Sequence, residues 1–314
     1  MPLPAGLISA LRAAALATVG VVAVATVVGF LGAWWWLFDI AANFRVQFLV
    51  LAVVVGASGA AFDRRVVAVA AVAALLNGIV VLPLAFESGR EAAPGPRLHV
   101  LSFNVQTSNP NKQAVMDYFA ESGADVVFIL ESSIDWERAA LRAGLPYEIF
   151  TTRPADRVFG ITVLTAQGVT VAPRRMGPES AVEVRLPFGE DELAILAIHP
   201  PSPISPSRAA ARDAALADAA EWAAARTGPT AVIGDLNATP WSHAFRSLVD
   251  DGDLTNSMRG YGLQPTWPAN NRLLLVPIDH ALISADLVAA KRYTGPRLGS
   301  DHRPLHVVLA PAAD

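Results

Sequence analysis

The 314-residue chain is expected to fold as an α/β domain of two packed β-sheets flanked by helices, preceded by a three-helix transmembrane segment. Three observations predict this. Charged residues make up only 17% of the chain, against about 25% in average globular proteins, and the deficit is local. Residues 1–97 carry ten charged side chains, and residues 98–314 carry the other 42. Long uncharged apolar runs fill the first part, whereas short apolar strands alternate with amphipathic helices in the second. That split excludes a uniform soluble domain, a disordered chain and a purely integral membrane protein. The absence of cysteine excludes a disulfide scaffold, a thiolate zinc site and a cysteine nucleophile.

The runs span residues 13–38, 46–62 and 66–86, so residues 1–86 are read as a transmembrane module. A spanning helix needs about 20 apolar residues, within a range of about 17–25, and each run meets or exceeds that. Trp34, Trp35 and Trp36 close the first run, where an aromatic belt would lie. A signal peptide has an apolar stretch of about 7–15 residues, shorter than this run. Three spans imply a multi-pass protein of the cell membrane with the lipid bilayer as a partner. Arginines balance across the spans: Arg12, Arg64 and Arg65 against Arg45, Arg90 and Arg97. The free amino terminus tips the orientation toward an inside N-terminus and an extracytoplasmic globular domain. Residues 87–97, polar and containing Gly and Pro, read as a short linker.

In the globular part, residues 98–314, Leu98–Val105 reads as a strand with a polar tip. Lys112–Ser122 follows with helical spacing, placing Val115, Tyr118 and Phe119 on one face. Asp125–Leu130 is a buried strand ending at Glu131, and Gly160–Thr165, Val182–Leu186 and Leu193–Ile198 are further strands. Ser207–Arg226 is an Ala-rich helix closed by Gly228 and Pro229. Thr230–Ile233, Ile278–Ser284 and Pro304–Leu309 complete the strand set. Strands outnumber the helices that could cover a single sheet, hence two sheets.

Polar residues collect where these strands end: Asn104, Glu131, His199, Asp235 with Asn237, Asp279 with His280, and Asp301 with His302. Each alone reads as a cap or turn residue. Acid, amide and imidazole groups at five or more successive strand ends read as a site, because loops converge there in layered folds.

The segments SFNV (102–105), FILES (128–132), GITVLT (160–165), AIHP (197–200), GDLNATP (234–240), PTW (265–267), IDHALIS (278–284) and GSDHRPL (299–305) occur in this order. Together they make residues 98–314 resemble the endonuclease/exonuclease/phosphatase superfamily, whose fold is DNase I-like, a four-layer sandwich. The resemblance implies a divalent-metal-dependent hydrolase of phosphodiester or phosphate monoester bonds, with Mg²⁺ or Mn²⁺ as cofactor. It implies Glu131, Asn104 and Asp301 as metal ligands. Asp235 would orient or deprotonate the attacking water, and Asn237 would donate to a phosphoryl oxygen. Asp279 would fix His302, which contacts the scissile phosphate, and His199 would stabilise the phosphorane. His280 would support the fold, and His99, His243 and His306 match no motif.

Residues 98–314 hold 18 Lys and Arg against 24 Asp and Glu, and no basic run longer than a pair. That argues against tight generic nucleic-acid binding, which rests on phosphate neutralisation. A membrane-held domain gains effective concentration toward substrates in or near the bilayer. The expected substrate is therefore a phosphodiester, either a phospholipid of the sphingomyelin type or, as in an anchored nuclease, DNA or RNA. A catalytically silent membrane scaffold on the same fold is the reading of another class, against which the intact polar set weighs. No charged residue lies within the three apolar runs, so no intramembrane ion path is indicated.

Overall fold

The computed structural model describes residues 4–61, 63–86, 89–152 and 160–313. Residues 1–3, Phe62 at the end of the second expected span, Glu87 and Ser88 of the linker, residues 153–159 and Asp314 lie outside the described residues. The chain divides into two compact units, residues 1–86 with 241–243, and residues 87–240 with 244–314.

The first unit is helical: α1 (Ala5–Val28), α2 (Trp36–Ala42), α3 (Arg45–Gly59) and α4 (Arg64–Phe86). The bounds differ from the uncharged runs in an instructive way. Helix α1 starts eight residues before the first run and includes Arg12, whose Nε donates to Asp63 Oδ2 at 2.6 Å. At its other end the helix tightens into a 3₁₀ turn at Gly29–Leu31 and stops, so Trp34 and Trp35 lie in a connection and Trp36 opens α2. Two helical stretches, Gly6–Leu31 and Arg64–Phe86, are long and apolar enough to cross a membrane. A third candidate arises if α2 and α3, bent by 61° at their junction, are counted as one span. The helices are joined by buried polar contacts as well as apolar packing. Arg45 Nη1 donates to Thr26 O (3.0 Å) and Asn77 Oδ1 (3.3 Å), and Asn77 Nδ2 donates to Thr26 Oγ1 (2.8 Å). Hydrogen bonds of this kind join neighbouring helices at buried positions.

The second unit has twelve strands among its described residues: β1 (Leu98–Asn104), β2 (Val126–Ser132), β3 (Glu148–Thr151), β4 (Gly160–Thr165), β5 (Thr170–Met176), β6 (Glu179–Phe188), β7 (Asp191–Ile198), β8 (Thr230–Asp235), β9 (Thr255–Asn256), β10 (Asp279–Ile283), β11 (Leu287–Thr294) and β12 (Leu305–Pro311). Four helices accompany them: α5 (Lys112–Ser122), α6 (Ile134–Ala143), α7 (Pro206–Ala224) and α8 (His243–Asp251). The strands form two six-stranded sheets, ordered β11-β12-β1-β2-β4-β3 and β5-β6-β7-β8-β10-β9. Each sheet has one parallel pair near its centre, β1 with β2 and β7 with β8, flanked by antiparallel neighbours. Each parallel pair is joined through a helix, α5 or α7, as a parallel crossover demands. This structural repeat leaves no trace in the sequence.

Alternation along the strands sends one set of side chains between the sheets and the other outward. Val100, Phe128, Leu130 and Val307 meet Val184, Ile195, Ala197 and Ile233 in the central core. Leu101, Phe103, Val127 and Ile129 point the other way, into Phe119 of α5 and Trp136 of α6. Leu196, Ile198 and Val232 pack outward under Ala215 and Ala219 of α7 and Phe245 and Leu248 of α8. The order is helix, sheet, sheet, helix.

The linker does not hang free. Ala92 bridges Ala312 in antiparallel fashion, Ala93 N donates to Pro311 O (3.0 Å), and Arg90 Nη1 donates to Ala285 O (2.7 Å). Residues 90–93 therefore belong to the second unit, fastened at the C-terminal end of β12.

Candidate active site

The parallel pairs fix where the polar residues meet. Asn104 and Glu131 end β1 and β2, which lie side by side, while His199 follows β7 and Asp235 ends β8. Strand β10 runs antiparallel to β8 with Asp279 opposite Asp235, and His302 precedes β12, antiparallel to β1. All six residues therefore lie at one end of the sandwich, three from each sheet.

Asn104 joins the two halves. Its Nδ2 donates to Asp235 Oδ2 (3.0 Å) across the sheets and to Glu131 Oε1 (3.1 Å) within its own sheet. Its Oδ1 accepts from Gln106 N (3.1 Å), which fixes the amide with N–H toward the carboxylates. The oxygen expected to face a cation thus faces backbone instead. Glu131 sits at a register shift in β2 with φ of 55°, a left-handed conformation uncommon for a non-glycine residue. Such strain persists only where surrounding contacts enforce it. Here Thr107 supplies them, donating from N to Glu131 Oε2 (3.2 Å) and from Oγ1 to Glu131 O (2.7 Å).

Asp235 and Asp279, both buried, face each other across β8 and β10. Two carboxylates so placed repel unless a cation intervenes. His302 provides it: Nδ1 is 2.8 Å from Asp279 Oδ2 and Nε2 is 3.5 Å from Asp235 Oδ2. Burial alone would lower the His302 pKa, but Asp279 and Asp235 outweigh it and push it up to about 10. His199 Nε2 is also 3.5 Å from Asp235 Oδ2 and 4.0 Å from Glu131 Oε1. Its pKa too is raised, because Asp235 and Glu131 overcome burial. Burial would raise Asp235, yet His302, His199 and Asn104 hold it down at about 2. Asp279 is raised, with burial the dominant cause and His302 opposing it.

Asn237, with φ of 49°, donates from its backbone to Asp235 Oδ1 (3.0 Å) and from Nδ2 to Pro200 O (3.0 Å). One side-chain N–H remains. Asp301 is half-buried and accepts from Trp267 Nε1 (3.0 Å), whose ring lies 6.5 Å from that of His302. His280 is fully buried, its Nε2 within 2.9 Å of Ala238 O, a framework role as expected. Sequence reasoning did not find Thr107, Ser300 or Thr266. Ser300 Oγ donates to Asn104 O (2.7 Å) and accepts from His302 N (3.0 Å), while Thr266 Oγ1 accepts from Asp279 N (3.3 Å). Ser300 and Thr266 stand inside the GSDHRPL and PTW segments, so their position was the available signal.

Asp235, Asp279 and His302 each offer one atom within 4.8 Å of the others, a group that could hold a metal ion. The chemistry of the donors favours a different division. A ligating histidine must be neutral, and Asp279 and Asp235 raise the His302 pKa in the metal-free site. Hard divalent cations take oxygen donors. Glu131 and Asp301, both half-buried, offer carboxylate oxygens of that kind.

The sequence profile described as the Endonuclease/Exonuclease/phosphatase family matches residues 101–302. No curated protein sequence matches the chain. Among solved structures, an endonuclease/exonuclease/phosphatase from Bacteroides vulgatus is similar at 13% identity with a TM-score of 0.57, over 69% of this chain and 99% of that one. D. rerio TDP2 complexed with single strand DNA product is similar at 13% identity and TM-score 0.55, over 68% and 98%. Truncated Caenorhabditis elegans TDP2 is similar at 14% identity and TM-score 0.55, again over 68% and 98%. At these identities the structural likeness establishes the fold.

Proposed function

The chain belongs to the endonuclease/exonuclease/phosphatase family, and on that premise we propose that it is a membrane-anchored, divalent-metal-dependent phosphodiesterase. One observation carries this reading: Asp235 is held by His199, His302 and Asn104 beside Glu131, with an imidazole on each side. The apolar helices of residues 5–86 support the anchor.

Each residue then has a role. A carboxyl held at about pKa 2 is a weak base, since an effective general base titrates near working pH. Asp235 therefore orients the attacking water rather than deprotonating it. His302, kept protonated by Asp279, presents its Nε2 proton to the scissile phosphate and neutralises charge that grows on the phosphoryl oxygens. His199 does the same from the other side, and Asn237 adds its free N–H. Glu131 and Asp301 would hold Mg²⁺ or Mn²⁺, with Asn104 positioning Glu131. The bound ion supplies electrostatic stabilisation of the phosphoryl and leaving oxygens.

The test uses the full chain in lipid nanodiscs, with plasmid DNA and phospholipid vesicles as separate substrates in Mg²⁺. Headgroup release that disappears in Asp235→Asn, with no nicking, is the expected result. Plasmid nicking lost in the same variant would make the protein a nuclease, the activity suggested by the neighbour bound to single strand DNA product. Neither activity in the wild type would sink the enzyme reading in favour of a scaffold.

A further inference from the structure

Four of the exposed apolar side chains of the second unit lie in segments that leave the site end of the sandwich. Among its described residues five large hydrophobic side chains are strongly exposed: Ile134 (40%), Leu141 (61%), Ile204 (75%), Leu273 (82%) and Leu274 (46%). All but Leu141 lie within six residues of a site residue. Ile134 follows Glu131 at the start of α6, Ile204 follows His199, and Leu273 and Leu274 precede Asp279. Scattered surface leucines need no explanation, but a cluster at one functional end does.

The Leu273 segment is built rather than loose. Trp267 and Val276 pair across its base, with Trp267 N donating to Val276 O (3.1 Å) and Thr266 N to the same oxygen (3.0 Å). At the tip Asn271 Oδ1 accepts from Leu273 N (3.0 Å), a turn that holds the leucine outward. Its base is fastened to the site through Trp267 and Asp301. Basic side chains accompany the leucines: Arg272 beside them and Arg297 in the segment before Asp301 are exposed. Arg272 beside Leu273 and Leu274 suits an anionic lipid interface, where the arginine meets headgroups and the leucines meet acyl chains, whereas Ile134 is followed by the exposed Asp135. The same chain carries apolar helices long enough to cross a bilayer.

We propose that Ile134, Ile204, Leu273, Leu274 and Arg272 form a lipid-docking rim. Through it the site takes its substrate, an amphiphile with a phosphate-ester headgroup, from a membrane surface. The substrate half of this inference rests on the phosphodiesterase reading above, and the docking half on its membrane anchor.

The chain has no cysteine, so single Cys labels are clean. Leu273→Cys, Ile204→Cys and Leu141→Cys are each labelled with an environment-sensitive fluorophore. The full chain is reconstituted in phosphatidylcholine–phosphatidylglycerol vesicles with doxyl-labelled lipid as quencher. Labels at 273 and 204 are expected to be quenched at least about twofold more than the label at 141, which lies along α6 away from the mouth. Equal, aqueous-like signals at all three positions would overturn the proposal. So would a blue shift at 273 that survives in detergent and is lost on dilution, which would assign the rim to a second copy of the chain. Hydrolysis of soluble bis(4-nitrophenyl) phosphate by the same samples reads the phosphodiesterase separately: turnover with aqueous labels fails the rim alone, and lipid-quenched labels without turnover fail the enzyme reading alone.

Discussion

At the scale of single residues, the site is a charge balance: four buried or half-buried acids against two imidazoles. His302 makes that balance measurable. Its folded pKa, about 10, exceeds the reference value of 6.5, so the protonated ring stabilises the fold fully below pH 6.5. That contribution is lost as pH rises from 6.5 toward 10. Asp235 has the opposite sign: held at about 2 against 3.8, its contribution is present above 3.8 and lost as pH falls through that window. Thermal melts of the metal-free protein should therefore show an alkaline decline that His302→Gln flattens; an unchanged slope in the variant would refute the pairing. For catalysis, Asp235→Asn keeps the shape but removes the charge that anchors both imidazoles, and activity should fall by roughly 10²–10³-fold.

These residues were legible in the sequence because acids, amides and imidazoles at strand ends have little other reason to accumulate. Their orientations were not. Which end of the Asn104 amide faces the carboxylates depends on the backbone N–H of Gln106, and no side-chain pattern encodes that contact.

Among elements, the central strands were readable from apolar runs, and α5 coincides with its expected span of 112–122. Strands β5 and β11 escaped because they are half-exposed and mix charge with apolar residues, as in TVAPRRM and LVAAKRYT. Helix α1 was displaced because charge counting ends a run at Arg12, whereas pairing with Asp63 lets the helix continue through it. The parallel pair β7 and β8 explains one motif residue. Gly234, at φ 150°, lies opposite Ile198, and a Cβ there would meet Ile198 O at 1.9 Å. Gly234→Ala should cost about 3 kcal/mol or more from overpacking and backbone strain, read as a lowered denaturation midpoint. An unshifted midpoint would mean that β7 and β8 separate more freely than their register implies.

For the molecule as a whole, the charge density of the sequence changes near residue 97, with long apolar helices before it and the sandwich after it. The duplicated sheet pattern was invisible, since packing constrains residue size and polarity rather than identity. The central claim is that one end of this sandwich hydrolyses phosphodiesters with a divalent cation held at its acidic edge. The most direct measurement is turnover of bis(4-nitrophenyl) phosphate by the full chain, with Mg²⁺, with EDTA, and in Asp235→Asn. The account predicts release of 4-nitrophenol that EDTA abolishes, Mg²⁺ or Mn²⁺ restores, and the variant lacks. Turnover that persists in EDTA or in Asp235→Asn would contradict it.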